Sequence, residues 1–239
     1  MPPVCDFVFS KILTKSIQNN RFLNKRLIRV VMVTDEKTME KPADSRQRIL
    51  EAAVILFARK GFGSTGLRQL AEMAQVNLAM INYCFGSKKA LLKEILDIFF
   101  CGYLDVARRE LAKSGSRKEK LEHFIHGAIN YFNDHRDYLL VTITELPHDD
   151  PEIIEHKANW GRQMVEIVDK HLGPEINIVR DTPPTPVFCT LLTATMASRF
   201  LFGPVINRIQ TEKNETLSIR NYADTVSRLF LRGFPLDKG

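Results

Sequence analysis

Residues 46–95 contain the pattern that most limits how this chain can fold. They read RQRILEAAVILFARKGFGSTGLRQLAEMAQVNLAMINYCFGSKKALLKEI. An apolar helix is followed by a glycine-rich corner and then by two short helices joined by a tight turn. Two such helices pack as a right-angled pair, and the second projects far enough to enter a DNA major groove. The segment therefore predicts a helix-turn-helix over residues 66–85.

Capping residues and apolar spacing predict the bounds of these helices. The predicted helices are 45–60, 66–74, 78–84 and 88–113. The predicted N-caps, in the same order, are Asp44 or Ser45, Thr65, Asn77 and Ser87. Gly61 is expected to end the first helix. Ile81 and Phe85 are expected to anchor the third helix in a core.

Helical spacing continues to the end of the chain, and no useful strand alternation appears. Asp150 is expected to cap a helix with Pro151 at its first position, and Gly173 is expected to end that helix. The further predicted helices are 116–133, 137–146, 151–172, 185–209 and 218–232. We therefore expect an all-α protein, with a three-helix helix-turn-helix domain followed by a larger helical bundle. The expected divisions are an N-terminal extension over 1–44 and domains over 45–94 and 95–239.

Charge and composition limit the classes of partner. Residues 45–94 hold 8 Lys and Arg against 3 acids, a net +5, whereas residues 95–239 hold 18 against 20. A basic segment of this kind predicts a polyanionic partner. The four cysteines form no CxxC pair, which favours a reducing cytoplasm. No continuous apolar run approaches the ~18–20 residues of a membrane span, so no membrane partner is expected.

Residues 1–31 are basic, with six Lys and Arg against one acid, and differ from the rest of the chain. Three interpretations fit them: an organellar targeting peptide, a basic arm that contacts DNA, or an upstream extension of a chain that starts at Met32 or Met39. Residues 33–45 are polar, and we expect a disordered lead-in there.

Three motifs suggest other chemistry, and each has a simpler explanation. Residues 61–66 match G-x-G-x-x-G, but a dinucleotide site requires a preceding strand, and the preceding segment here is helical. Asp149 and Asp150 resemble part of a Mg²⁺ site, yet no second acidic segment converges with them, and helix capping explains the pair. His123 and His126 share a helix face without an identifiable third ligand. We expect no catalytic residue, no metal and no cofactor.

Residues 46–95 resemble the N-terminal domain of the TetR family of transcriptional regulators. The resemblance covers about a fifth of the chain, and many spaced positions match together. The residues that carry it are Gly61-Phe62, Thr65, Arg68, Leu70-Ala71, Val76-Asn77, Ile81-Asn82-Tyr83, Phe85, Ser87-Lys88 and Leu91.

The resemblance implies that the third helix is the recognition helix. It would expose Leu78, Ala79, Met80, Asn82 and Tyr83 toward DNA. Asn82 would pair with an adenine edge, and Ala79 and Met80 would touch thymine methyl groups.

The resemblance also implies contacts around the recognition helix. Arg68 would reach a guanine or a phosphate. Thr65 and the neighbouring amides suit a phosphate, and Tyr83 and Lys88 are expected to clamp the DNA backbone. One departure is visible, because the turn often carries Gly where this chain has Gln75. A left-handed Gln75 costs roughly 1 kcal/mol, so we expect a slightly different turn and tilt.

For the bundle, the resemblance implies a ligand pocket and a dimer face. An apolar pocket would favour a small hydrophobic or aromatic effector. The candidate pocket residues are Phe100, Phe124, Trp160, Met164 and Met196. The helices near 185–209 and 218–232 would form a four-helix interface through Leu191, Leu192, Thr195, Met196 and Leu229.

Together these observations favour a cytoplasmic, sequence-specific DNA-binding transcriptional regulator. We expect a ligand-responsive repressor that acts as a homodimer on a near-palindromic operator, and not an enzyme. Two alternatives stay open. An all-α enzyme would show convergent carboxylates and turnover, and a nucleoid or division protein on the same DNA-binding module would lack a closed pocket.

Overall fold

A computed structural model describes residues 42–144, 150–173, 184–210 and 218–233, and these residues form nine α-helices and no strand. The all-α prediction is therefore confirmed for the described part of the chain. The helices are α1 (Pro42–Lys60), α2 (Leu67–Ala74), α3 (Leu78–Phe85), α4 (Lys88–Leu111), α5 (Arg117–Asp134), α6 (Arg136–Thr144), α7 (Pro151–Leu172), α8 (Thr185–Gln210) and α9 (Ile219–Gly233). The interpretations of residues 1–41 lie outside the described residues, as do those of Asp149 and of the loop at 174–183.

Most predicted helix ends are confirmed by hydrogen bonds. The side chains of Asn77, Ser87 and Asp150 cap α3, α4 and α7 by accepting bonds from backbone N–H groups. Gly61 follows α1 with a φ of 86°, and the N–H of Gly173 donates to the carbonyl of Asp169.

Two predicted caps are wrong. Helix α1 begins at Pro42, which places Asp44 in its first turn and buries Ser45 inside the helix, because proline fits the first helical position. Helix α2 begins after Gly66 rather than after Thr65. Gln69 partly replaces a side-chain cap, since its Oε1 accepts a bond from the Gly66 N–H at 3.3 Å.

Two apolar cores organise the helices. The N-terminal core joins α1, α2, α3 and the first half of α4 to Val141 of α6 and Ile153 of α7. The C-terminal core joins the rest of α4 to α5, α7, α8 and α9, together with Leu139 of α6. Phe100 and Tyr138 pack against both cores. Residues 45–239 form one compact unit, and of the other unit, residues 1–44, the structure describes only 42–44. The domain boundary at 94/95 stays a prediction.

Helices α4 and α5 approach closely at Gly102. A Cβ atom on Gly102 would collide with the ring of Tyr131. The Tyr131 hydroxyl donates to the carbonyl of Phe99 at 2.9 Å, so the ring is held across α4. Burial raises the pKa of this hydroxyl, and Tyr131 therefore acts as a neutral packing group.

Helix α8 has an exposed apolar face. Thr185–Ile209 is long and apolar enough to cross a membrane by length and composition only. The helix meets this test without a continuous apolar run of that length, because its leucine, isoleucine, valine and phenylalanine residues outweigh its threonines and it carries few charged side chains. The large exposed apolar residues on α8 are Val187, Leu191, Leu201, Phe202, Val205 and Ile209.

The predicted dimer face contains two residues that point elsewhere. Leu192 and Met196 are buried in the C-terminal core, because they lie on the opposite side of α8 from Leu191. Leu191 on α8 and Leu229 on α9 are exposed.

Candidate nucleic-acid interface

Helix α3 separates its buried and exposed faces clearly. Ile81 is fully buried and Phe85 nearly so in the N-terminal core. On the other side, Leu78, Ala79, Asn82 and Tyr83 are exposed, and Tyr83 has 78% of its surface accessible. The anchors hold the helix while its outer face presents one amide, one phenol and small apolar groups. These are the side chains that read adenine edges and thymine methyl groups in a major groove.

The turn between α2 and α3 contains a residue in the left-handed conformation, and this residue is not glycine. Gln75 has φ 54° and ψ 47°, and it is the one non-glycine residue with positive φ among those described. The N–H of Gln75 donates to the carbonyl of Glu72 at 3.1 Å, and the N–H of Val76 to that of Ala71 at 2.9 Å. This pair of bonds is a Schellman motif. The prediction of a different turn is therefore wrong, because these hydrogen bonds hold Gln75 in the left-handed conformation.

Thr65 lies inside the corner between α1 and α2. Its side chain is 1% exposed, and its hydroxyl donates to the carbonyl of Gly61 at 2.8 Å. Its own N–H donates to the carbonyl of Phe62 at 3.3 Å. The Thr65 hydroxyl thus satisfies the backbone of a tight corner, and a contact of this residue with phosphate stays a prediction.

Lys88 is partly buried against the same corner. Its ammonium group donates to the carbonyl of Thr65 at 2.6 Å and lies 4.2 Å from the centre of the Phe62 ring. Phe62 in turn packs edge-on against Phe57, with the ring centres 5.3 Å apart. The first residue of α4 is thus bound to the corner that precedes α2.

The remaining predicted contacts lie around α3. Arg68 is exposed on α2, as Asn82 and Tyr83 are on α3. Met80 is only partly exposed and packs against the N-terminal core. Five of the eight predicted DNA contacts are thus exposed, namely Arg68, Leu78, Ala79, Asn82 and Tyr83.

Ion pairs bind the start of α4 to the start of α7. Lys89 lies 2.7 Å from Asp150 and 3.2 Å from Glu152, and Lys93 also pairs with Glu152. The hydrogen bond that Lys89 donates to Asp150 raises the pKa of Lys89 above its usual value. Lys89 and Lys93 lower the pKa values of Asp150 and Glu152 in return. These charges connect the helix that follows the recognition helix to the larger bundle.

A second polar contact continues along the same pair of helices. Asp97 on α4 accepts hydrogen bonds from His156 Nε2 at 2.6 Å and from Trp160 Nε1 at 2.9 Å. The Trp160 ring stacks on Phe100, with the ring centres 6.0 Å apart. Sequence reasoning missed this set of contacts. Its signal was present, because Lys89, Lys93 and Asp97 repeat every four residues on one helix and Glu152, His156 and Trp160 do so on the other.

The five predicted ligand residues all belong to the C-terminal bundle. Phe124, Met164 and Met196 are buried in its core, and Phe100 and Trp160 pack at its edge. They come from α4, α5, α7 and α8, which the fold brings together. A role for these residues in ligand binding stays a prediction.

The alternative motifs have structural roles in the described residues. Gly61 lies in a turn between two helices, and a helix rather than a strand precedes it, which removes the context of a dinucleotide site. His126 lies 3.2 Å from Asp224 on α9. No group of three or more metal-binding side chains occurs within the described ranges.

Comparison with known proteins agrees with this geometry. Residues 49–95 match the family described as bacterial regulatory proteins, tetR family. The chain is 36% identical over 156 residues to the transcriptional regulator RutR from Escherichia coli O157:H7, covering 58% of this chain and 73% of RutR. It is 27% identical over 177 residues to the transcriptional repressor SCO4008 from Streptomyces coelicolor, covering 70% of this chain and 84% of that protein.

The fold has solved counterparts as well. The regulator FadR from Bacillus subtilis, solved in complex with stearoyl-CoA, superimposes with a TM-score of 0.61 at 16% identity. That match covers 78% of this chain and 98% of FadR. For two further curated regulators that it matches, the chain spans 57% and 49% of their length.

Proposed function

Because the chain belongs to the TetR family of bacterial regulatory proteins, we propose that it is a sequence-specific DNA-binding transcriptional regulator. It acts in the cytoplasm as a homodimeric repressor on a near-palindromic operator and responds to a small ligand. The observation that carries the proposal is the division of α3 into a buried side anchored by Ile81 and Phe85 and a solvent side around Asn82 and Tyr83.

DNA contacts in this proposal come from the exposed residues. Asn82 pairs with an adenine edge, Ala79 contacts a thymine methyl group, and Tyr83 and Arg68 bind the backbone or a guanine. The net +5 of residues 45–94 supports attraction to phosphate. Because α3 offers few hydrogen-bonding side chains, the shape of the operator supplies part of the specificity.

The exposed apolar residues of α8 support the homodimer. Val187, Leu191 and Val205 lie on one side of α8, and Leu229 is exposed on α9. A symmetric pairing of these helices would cover the apolar face and place two copies of α3 in successive major grooves. The apolar composition of α8 would also allow this helix to bind a membrane. That alternative predicts that the protein binds lipid vesicles instead of associating with a second copy of itself.

The aromatic groups of the bundle support a ligand-responsive mechanism. Phe100 contacts both cores and stacks on Trp160, so displacement of this pair by a hydrophobic or aromatic ligand would move α4. The ligand must bind the DNA-incompetent state more tightly to release the operator. FadR, which has the same fold, was solved with an acyl-CoA, and acyl-CoA esters are therefore a suitable first class to test.

A footprint on the DNA upstream of the chain's own gene tests the proposal. We expect one protected near-palindromic site, with half-sites one helical turn apart. Asn82→Ala should lose roughly tenfold or more in operator affinity and relax specificity at one position in each half-site. A folded dimer that binds no upstream DNA better than random DNA at low salt contradicts the proposal.

The matched control is Lys170→Gln, at an exposed position near the C-terminal end of α7. It removes one positive charge far along the chain from α3. Operator affinity and footprint should equal those of the unmodified protein.

A further inference from the structure

Lys88 is positioned for an internal contact rather than for DNA. Its ammonium group already has an oxygen partner, the Thr65 carbonyl at 2.6 Å, and an aromatic face, the Phe62 ring at 4.2 Å. Lys88 is partly buried, and one of the three N–H groups of its ammonium donates to the Thr65 carbonyl.

The two ends that Lys88 joins enclose the helix-turn-helix. Thr65 immediately precedes α2 and its cap Gly66, and Lys88 is the first residue of α4, directly after α3. A bond between them therefore closes the α2–α3 pair at both ends. Phe62 attaches the corner to the N-terminal core through its edge-on contact with the ring of Phe57.

Internal hydrogen bonds hold the backbone of the corner in place. The Thr65 hydroxyl and N–H are both used within residues 56–65, donating to the carbonyls of Gly61 and Phe62. The Thr65 carbonyl is therefore a fixed acceptor on a rigid corner. Such an acceptor defines where the first turn of α4 must lie, and with it the end of α3.

We propose that Lys88 is a positioning residue that sets the placement of the recognition helix α3 by binding the Thr65 carbonyl over the Phe62 ring, and that it is not a phosphate contact. The proposal rests on the proposed function, because it assigns how the same DNA-binding surface is held. It replaces the expectation that Lys88 clamps the DNA backbone.

The salt dependence of operator binding separates the two roles. A phosphate contact releases counterions, so loss of one contact in each subunit lowers the slope of log K against log salt by about 1.8. A positioning contact weakens binding at every salt concentration without changing the slope. The experiment measures operator affinity between 50 and 200 mM salt, a range of about fourfold over which such slopes are resolved.

The variants are Lys88→Met, which keeps the apolar stem, and Arg68→Gln, which removes a proposed DNA contact. For Lys88→Met we expect a lower Tm, operator affinity reduced roughly tenfold, comparable with the loss of one base contact, and an unchanged salt slope. For Arg68→Gln we expect an unchanged Tm and, where it binds phosphate, a reduced slope. Lys170→Gln serves again as the neutral control.

A second variant pair tests the contact directly. Phe62→Leu keeps an apolar group in the corner and removes the ring face that Lys88 covers. We expect the double variant Phe62→Leu and Lys88→Met to lose less operator affinity than the sum of the two single losses, since both single variants remove the contact between Lys88 and the Phe62 ring. Additive losses overturn the proposal.

Three further results overturn it. If Lys88→Met lowers the slope of log K against log salt by about two units, Lys88 is a phosphate contact. A lower Tm with unchanged affinity in the folded protein shows a purely structural contact. An unchanged Tm shows that the contact with Thr65 contributes nothing. If the unmodified protein binds no operator, the proposed function fails, and the Tm of Lys88→Met then decides the contact alone.

Discussion

At the scale of single residues, Gln75 shows how local hydrogen bonds override a conformational preference. Its φ of 54° is unfavourable for a residue with a Cβ atom. Two backbone bonds, from the N–H groups of Gln75 and Val76 to carbonyls of α2, satisfy the end of that helix. Among the non-glycine residues that the structure describes, the left-handed conformation is therefore confined to Gln75.

Gln75→Gly should relieve this strain. We expect the free energy of unfolding to rise by up to about 0.5 kcal/mol, which is the left-handed penalty of roughly 1 kcal/mol less the roughly 0.5–1 kcal/mol of extra chain entropy of glycine. Urea denaturation measures the change. Gln75→Ala is the matched control, because alanine retains the Cβ atom. A Gln75→Gly protein no more stable than Gln75→Ala would show that position 75 is unstrained.

Signals from residues close together in the sequence predicted most of the helix caps. They predicted fewer of the contacts in the DNA-binding site. Asn77, Ser87 and Asp150 cap helices as expected, because a cap depends on residues close in sequence. The roles of Thr65 and Lys88 were not predictable in this way. Their partners depend on how the corner closes, and the bond between them spans 23 positions.

At the scale of elements, α4 connects the DNA-binding helices to the bundle. Its first turns carry Lys89 and Lys93, which pair with Asp150 and Glu152 of α7. Four residues further along, Asp97 accepts bonds from His156 and Trp160. The bounds of both helices were predictable from apolar spacing and caps. Their pairing was not, because spacing on one helix does not identify the opposite helix.

Acid should weaken the contact between α4 and α7. The pKa values of Asp150 and Glu152 are lowered from 3.8 and 4.5 in the folded protein, so their contribution to stability is complete above about pH 4.5. It is lost as pH falls through the lowered folded values. We therefore expect the free energy of unfolding to fall as pH drops below about 4.5, and to fall less steeply in Glu152→Gln.

Thermal unfolding at a series of pH values measures this effect. Glu166→Gln, exposed on the same helix, is the matched control and should keep the acid profile of the unmodified chain. At pH 7, Glu152→Gln should be the less stable of the two. Identical profiles for all three proteins would assign the acid sensitivity to other carboxyl groups.

At the scale of the whole molecule, α8 presents more apolar surface than one chain covers. Its exposed residues Leu191, Leu201 and Val205 lie in the helix that passes the length and composition test for a membrane span. The proposed two-fold dimer would cover this surface and would also supply the two copies of α3 needed to read two half-sites. Sequence spacing predicted the helix and its apolar character. It placed Leu192 and Met196 on the wrong side, because every face of α8 carries apolar residues.

Leu191→Glu should separate the dimer. A carboxylate without a partner at the centre of an apolar interface costs roughly 3 kcal/mol or more. The dimer dissociation constant should therefore rise by about a hundredfold or more. Sedimentation velocity over a concentration series measures it. Lys170→Glu on α7 is the control, and an unchanged constant for Leu191→Glu would exclude this face of α8.

The contact of Gly102 with Tyr131 limits how the sequence can evolve. The ring of Tyr131 occupies the space of a Cβ atom at position 102, whereas a Cβ atom at Gly63 would meet nothing within 4 Å. In the lineage of this protein, a larger residue at 102 is therefore tolerated only after position 131 has become smaller. The two positions are expected to covary across orthologues, while position 63 drifts independently of both.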